Sequence, residues 1–488
     1  MLNHPRLAMD LNNVACQWLG GAGVKGNGLE RTMTDPTTAQ SYGSVPDASS
    51  VQVDHAVELA RWALPDWSAT FPGARARVLF RLADLIEARA DDLASVEAVN
   101  VGKPVAQARR DAGRAADYFR FYAGCCDKLN GETIPLGPDQ TALTVPEPIG
   151  VSAHIIPWNY PLSTLARGVA PALAVGTTVV AKPPELTPFT AVMVAQLALE
   201  AGVPDGAFNV VTGGGEIGAA LAGHPDVDQV TFTGSTATGR KVMQAASAPV
   251  ADVSLELGGK SPVIVLGDAN MEDAAEGVLR GIFFNAGQVC AAGSRLICTR
   301  DIHDALIERV AEKAKAMQMG HPLDNPDLGP LASRAQLDRV QGYVNGATKA
   351  GSEPVLGGIP TAPSDYPDGY FYPPTIFADV SPDAEIAREE VFGPVLTTFL
   401  CDDADHALAL ANGCEFGLVA GVYSRDSTTA LRLARRLHAG QVFVNGFLNA
   451  GDTVPFGGVK HSGIGREKGL AGLDTYVARK SIILNHPG

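Results

Sequence analysis

The chain is short of positive charge. Thirty-eight lysines and arginines stand against 53 aspartates and glutamates, a net −15 over 488 residues. A polyanion partner needs clustered cations to neutralise its phosphates, so nucleic acid is excluded as a ligand. The one basic run, Arg432, Arg435 and Arg436, alternates with Leu433, Ala434 and Leu437 and reads as the solvated side of an amphipathic helix. No apolar stretch approaches the roughly eighteen residues that a membrane-spanning helix needs. The opening Met1-Leu-Asn-His-Pro lacks the basic segment and apolar run of a secretory leader. Seven cysteines, odd in number and irregular in spacing, build no disulfide framework. The vicinal Cys125-Cys126 has no second pair with which to hold zinc, and both read as small buried hydrophobes. His154 and His461 have no ligand spacing, so no metal is expected. These absences point to a reducing, cytoplasmic compartment.

What is present is ordinary for a large enzyme. The 46% hydrophobic and 19% charged composition is that of a soluble globular chain, too long for one core, so two or three domains are expected. Residues 54–123 are helix-rich: Ala56-Val57, Leu59-Ala60 and Ala63-Leu64 recur at helical spacing, as do Val78-Leu79, Leu82, Leu85-Ile86 and Leu93. Glu132–Pro135 and Ala142–Pro146 are extended. From Gly150 short β-branched runs alternate with helices: Val151–Ile156, Val179–Ala181, Ala207–Val211 and Gln229–Phe232. Such βαβ organisation implies a parallel sheet. A second alternating region runs from Pro262–Leu266 to about residue 440, and Tyr476–Leu484 reads as a strand. The clearest long loop is 358–370.

Cys290, in Phe284-Asn285-Ala286-Gly287-Gln288-Val289-Cys290-Ala291, is the one cysteine set among small residues and amides, and Glu256 lies upstream in Leu255-Glu256-Leu257-Gly258-Gly259-Lys260. A cysteine nucleophile can form a covalent adduct with a carbonyl, and a carboxylate can then activate water. These two segments, with Pro157-Trp158-Asn159-Tyr160-Pro161, Lys182-Pro183-Pro184-Glu185, Phe232–Thr236, Glu389–Pro394, Pro455–Lys460 and Ser462–Glu467, resemble the aldehyde dehydrogenase superfamily in order and spacing from about Asp54 onward. The resemblance implies an α/β fold in three parts. A Rossmann-like NAD-binding domain would take 1–125 and 149–256, and an α/β catalytic domain 257–469. A small β oligomerisation arm would take 126–148 and 470–488, making the protein a homodimer or homotetramer.

Two glycine loops compete for the cofactor phosphates. Gly213-Gly214-Gly215-Glu216-Ile217-Gly218 matches GxGxxG literally, but no acidic residue ends a strand about twenty residues later. Gly234-Ser235-Thr236-Ala237-Thr238-Gly239 also joins a strand to a helix, and Ser235 can cap that helix, leaving N–H groups for a pyrophosphate. The second loop agrees with the family's variant fingerprint; by the resemblance the first, through Gly215, lies on the adenine side. Glu185 can accept both adenosine ribose hydroxyls and would repel a 2′-phosphate, which favours NAD over NADP, with Lys182 beside it. The resemblance also puts Ile156, Pro157, Trp158, Phe232, Thr233, Gly234, Thr238, Leu257 and Gly258 at the cofactor, and Glu390 and Phe392 at the nicotinamide ribose and ring.

The family's chemistry assigns Cys290 as nucleophile and Glu256 as the base that activates the hydrolytic water. The Asn159 amide and the Cys290 N–H would be the oxyanion donors. Acylating members, which pass the acyl group to coenzyme A, usually lack this glutamate; the other rival is a non-catalytic protein that keeps the fold. Tyr160, Ser163, Thr164 and Arg167 fall on one face of the helix expected to flank the substrate tunnel. Arg167 stands where many enzymes of simple aldehydes carry Trp, and an unpaired buried guanidinium would favour a substrate that supplies an acceptor. Phe283, Phe284 and Phe447 are expected to enclose the rest, so a polar, carboxylated or aromatic aldehyde is expected.

Overall fold

The computed structural model describes residues 2–486. Two sheets organise it. The first has eight strands, at its centre Phe208–Val210, Thr178–Lys182, Val151–Ile155, Gln229–Thr233 and Asp252–Glu256 side by side and parallel. The middle three, Thr178–Lys182, Val151–Ile155 and Gln229–Thr233, are buried along their whole length, which is why they read as unbroken apolar or β-branched runs. An N-terminal hairpin, Gln17–Leu19 with Ala22–Val24, extends one edge antiparallel. Gly463–Ile464 closes the other edge against Leu255 and Glu256. The chain therefore returns to the first sheet close to its end, within a stretch expected to belong wholly to the second.

The second sheet has seven strands in the order Pro354–Leu356, Thr375–Phe377, Val395–Cys401, Arg295–Thr299, Pro262–Val265, Val419–Tyr423 and Gln441–Val444. All neighbours are parallel except the first pair. A separate three-stranded sheet joins Thr133–Gly137, Gln140–Pro148 and Val477–Asn485. The expected arm ran to residue 488; 487 and 488 lie outside the described residues.

Helix periodicity is borne out where it was strongest. The helix Ser50–Ala69 starts at a complete capping box, Ser49 and Gln52 each bonding the other's backbone, and buries Val53, Ala56, Val57, Ala60, Ala63 and Trp67. The helix Val105–Ala123 turns alanines 108, 112, 115 and 116 inward, which lets it pack closely on Pro161–Val175. That last helix is buried at every residue and stops at Gly176, whose φ of +98° suits a residue without a Cβ. Between the two helices lies a buried ion triad. The Lys103 ammonium donates to Glu97 (2.9 Å) and Asp111 (2.6 Å), and the second Glu97 oxygen accepts from the Leu162 N–H, fixing the helix start. The basic run behaves as expected, with Arg432 and Arg436 both paired to Asp405 on the surface. All seven cysteines are free thiols. Among the described residues no helix is long and apolar enough to cross a membrane, and no cluster of metal-ligating side chains occurs.

Candidate active site

Four of the parallel strands of the first sheet end within one residue of a common register, at Ile155, Lys182, Thr233 and Glu256. The loops that follow open at one edge, the carboxyl edge where open α/β sheets bind ligands. They form one wall of a cavity of about 750 Å³; the second sheet supplies the other through Cys290, Glu390, Phe392 and Phe443.

Cys290 reaches the cavity by an unusual backbone. Asn285, Ala286 and Gly287 follow one another at φ +49°, +51° and +73°. Left-handed backbone costs a non-glycine residue roughly 1–2 kcal/mol, so something must hold it. The amides that drew attention in the sequence do this. Gln288 donates from Nε2 to the Asn285 carbonyl (3.1 Å) and accepts at Oε1 from the Ala332 N–H (2.9 Å). Its own carbonyl accepts from Asn159 Nδ2 (2.9 Å). A Cβ on Gly287 would lie 2.0 Å from the Gly393 carbonyl oxygen, so only glycine fits.

Glu256 ends its strand 2% exposed, and neither carboxyl oxygen has a protein hydrogen-bond partner. Burial pushes its pKa up to about 8, Arg167 opposing. Burial, then the nearby Glu256 carboxylate, push the Cys290 thiol up to about 12, Arg167 again opposing. Beyond Glu256 the chain is pinned by Ser462, whose Oγ donates to the Gly258 carbonyl (2.7 Å) and whose carbonyl accepts from the Leu257 N–H (3.0 Å). Glu390 accepts from the Gly259 N–H (2.9 Å), and burial raises its pKa to about 7. The Phe392 ring meets Trp158 edge-on at 5.3 Å.

On the opposite side of the cavity Ser235 caps the helix Thr236–Ala246, its Oγ accepting from the Thr238 N–H (3.2 Å). Lys182 donates to the Gly213 carbonyl (2.6 Å) and stands 3.8 Å from Glu185, whose carboxylate is 41% exposed. Gly215 lines the same region, so both glycine loops face the cavity, the first beside Lys182. Of the expected residues, Ile156, Pro157, Trp158, Phe232, Thr233, Gly234, Thr238 and Gly258 are also on the wall, as are Asn159, Tyr160, Ser163, Thr164, Arg167 and Phe284.

Four expectations need correction. Leu257 does not line the cavity; it is buried against Gly239, where an added Cβ would touch it. Phe283 is fully buried in the core of the second sheet, because it sits one helical step away from Phe284. Phe447 fills the space left by Gly281, Gly293 and Gly421, behind the wall. Arg167 lines the cavity but is not an unpaired cation. Its Nε is ion-paired with Glu467, both side chains at least 90% buried, and its Nη2 reaches Thr233 Oγ1 (3.3 Å). Burial works against its charge, and the Glu467 and Glu256 carboxylates outweigh that and hold it protonated. The aromatic wall is made instead by Phe284, Phe443 and Phe456. Arg110, Arg114 and Tyr118 were also missed, although their spacing of four residues on one helix face was visible, as was Lys468 next to Glu467.

The Aldehyde dehydrogenase family model matches residues 24–482. The chain is similar to a hydroxyisobutyraldehyde dehydrogenase of Mycolicibacterium austroafricanum, 44% identical over 453 residues, 92% of this chain and 90% of that one. It is similar to the crystal structure of an NAD-dependent aldehyde dehydrogenase from Sinorhizobium meliloti, with TM-score 0.95, 41% identity and coverage of 100% and 98% of the two chains. It is also similar to betaine aldehyde dehydrogenase from Staphylococcus aureus in complex with NAD+, with TM-score 0.95, 34% identity and coverage of 99% and 97%. A cysteine and a buried carboxylate at the carboxyl edge of a Rossmann-like sheet, matched over nearly the whole length, give one conclusion: the chain belongs to the aldehyde dehydrogenase family.

Proposed function

We propose that this chain oxidises an aldehyde to its carboxylic acid through a thiohemiacetal and then a thioester on Cys290, in a hydrolytic reaction that uses NAD. The observation that carries the reading is Glu256: a buried carboxyl with both oxygens unbonded, sharing a cavity and an electrostatic environment with the one half-buried thiol there. A buried carboxyl usually finds hydrogen-bond partners, and one left without them is poised to exchange a proton with something that enters.

The residues fit the cofactor. Glu185 has its carboxylate at the lip, free to accept two ribose hydroxyls, and its charge opposes a 2′-phosphate. The capped N-terminus of Thr236–Ala246 offers N–H groups to a pyrophosphate. At Gly258 a Cβ would lie 2.4 Å from a Glu390 carboxylate oxygen, so a larger residue beside the base would push that carboxylate aside. When bound, NAD supplies the hydride acceptor.

The chain's own groups do the rest. Cys290 gives its thiol proton to solvent water and its sulfur attacks the carbonyl carbon. One Asn159 amide hydrogen is spent on Gln288; the other, with the Cys290 N–H, is available to the oxyanion. Once the thioester has formed, Glu256 takes a proton from water, the resulting hydroxide adds, and the Cys290 sulfur leaves. Replacing Glu256 by Gln should leave one burst of NADH per active site followed by slow turnover, read by stopped-flow absorbance. Equal loss of burst and steady state would place Glu256 before hydride transfer instead. Free coenzyme A should not be required.

Residues 1–125 and 149–256, which carry seven of the eight strands of the first sheet, are the cofactor domain in this reading, and 257–469, which lends that sheet the edge strand Gly463–Ile464, is the catalytic domain. The segments 126–148 and 470–488, whose described residues carry the three-stranded sheet, are the arm of a cytoplasmic homodimer or homotetramer. The substrate is a polar, carboxylated or aromatic aldehyde, since the wall combines Phe284, Phe443 and Phe456 with hydroxyls from Ser163 and Thr164.

A further inference from the structure

Arg167 is neutralised by Glu467, yet the substrate side of the cavity is not short of cations. Arg110 and Arg114, one turn apart on the helix Val105–Ala123, both line it, and Arg280 joins them from the helix Met271–Phe283. Among the described residues none of these three has a carboxylate within ion-pair distance. Of the two acidic residues on the helix Val105–Ala123, Asp111 is taken by Lys103 and Asp117 stands 3.7 Å from Arg120. Deeper in, Lys468 is 14% exposed, its ammonium 5.2 Å from the Phe456 ring centre, 5.8 Å from that of Tyr118 and 4.0 Å from Asp452. Arg110, Arg114, Arg280 and Lys468 thus line one cavity in a protein of net charge −15, and among the described residues only Lys468 of the four has a carboxylate within 4.0 Å, that of Asp452.

We infer that Lys468 and Arg114 bind a carboxylate carried by the aldehyde substrate, with Arg110 and Arg280 at the rim drawing the anion in. The inference rests on the reading of this cavity as an aldehyde-oxidising site and narrows its substrate to an aldehyde bearing a carboxylate at the far end of an apolar or aromatic spacer. Burial, with Arg167 and Arg114 adding repulsion, lowers the Lys468 pKa to about 8, so an incoming anion meets an ammonium that water solvates poorly. Phe456 and Tyr118 flank that ammonium with ring faces, and Phe284 and Phe443 complete a lining suited to the spacer. The rim arginines are solvent-exposed and act at longer range, which salt screens.

The test compares kcat/KM for para-carboxybenzaldehyde with para-methylbenzaldehyde, and for succinic semialdehyde with butanal, in wild type, Lys468→Met, Lys468→Arg and Arg114→Gln. The carboxylated member of at least one pair should be preferred. Lys468→Met should reduce that preference about ten- to a hundredfold, the range of a charge-assisted hydrogen bond. Lys468→Arg should restore most of it, and added salt should erode the rest. The exposed Arg114→Gln should act in the same direction without a folding cost. Calorimetry with Cys290→Ser, which does not turn over, measures the same discrimination as binding. If uncharged aldehydes are oxidised with no preference for a carboxylate, the inference is overturned while aldehyde oxidation stands. If no aldehyde is oxidised but the Lys468-dependent binding difference appears, the carboxylate site stands and the proposed reaction falls. A binding difference that Lys468→Met leaves intact overturns the role of Lys468.

Discussion

At the scale of single residues, the site is governed by the buried Arg167, Glu467 and Glu256 and the half-buried Cys290, with the Arg167 charge opposing the upward pKa shifts of Glu256 and Cys290. Arg167→Leu leaves the Glu467 carboxylate buried without its cation, a loss of about 3–5 kcal/mol. A lower thermal midpoint is expected, with most of it recovered when Glu467 is also made Leu. Arg167 further holds down the pKa values of Cys290 and Glu256, so the ascending limb of the pH–activity profile should move to higher pH in Arg167→Leu. Glu256 carries a second test. Its folded pKa is raised from 4.5 to about 8, so the folded state binds a proton that the unfolded chain releases. Stability from this source is fully present below pH 4.5 and is lost as pH rises towards 8. Glu256→Gln removes the loss, so its gain in thermal midpoint over wild type should be small at pH 5 and grow by pH 9. A gain independent of pH would show that the carboxyl titrates normally.

At the scale of elements, the nucleophile loop is the most exacting piece. Gly287→Ala combines a φ of +73° with a Cβ 2.0 Å from the Gly393 carbonyl oxygen. It should displace Cys290 and cost at least a hundredfold in kcat, because misplacement of about 1 Å can cost that much. NAD binding, followed by quenching of Trp158 fluorescence, should survive better than turnover. On the cofactor side, Glu185→Ser removes the carboxylate and should narrow the preference for NAD over NADP in kcat/KM; a wild type that favours NADP would overturn the ribose role. Strands and helices were legible because burial imposes a period: Val151–Ile155 and Gln229–Thr233 were expected within a residue or two of their observed ends. The catalytic loops were legible through motifs. What was not legible depends on contacts across the chain. Arg167 is neutralised by a residue 300 positions away, and nothing in its own segment announces Glu467. Phe443 and Phe447 look equivalent in sequence, yet the glycines at 281, 293 and 421 make a hole for one of them alone. Arg110 and Arg114 belong to no motif, and only the fold sets their helix beside the cavity.

At the scale of the molecule, the three-stranded sheet carries exposed apolar side chains that the monomer does not cover. The strand Val477–Asn485 is in register from Val477↔Pro148 to Asn485↔Gln140, and its outer edge has no partner among the described residues. Ile482 and Leu484 on one face are 40% and 43% exposed, and Ile483 on the other is 60% exposed. Ile134 and Leu136 on the far strand are 39% and 48% exposed. A free edge next to uncovered apolar faces favours pairing with another chain, since association buries apolar area at about 25 cal/mol per Å² and satisfies the edge N–H and C=O groups. Under the proposed arm, the wild type should run as a dimer or tetramer in size-exclusion chromatography with light scattering. Ile482→Asp with Leu484→Asp should shift it to a smaller species, by placing two charges where a partner would have to desolvate them. Every residue assigned here to NAD and to the reaction belongs to this chain, so the smaller species should still bind NAD and retain the Glu256-dependent NADH burst. Loss of both with an unchanged oligomer would mean that the strand supports the fold of each subunit instead. A monomeric wild type would remove the arm's proposed role altogether.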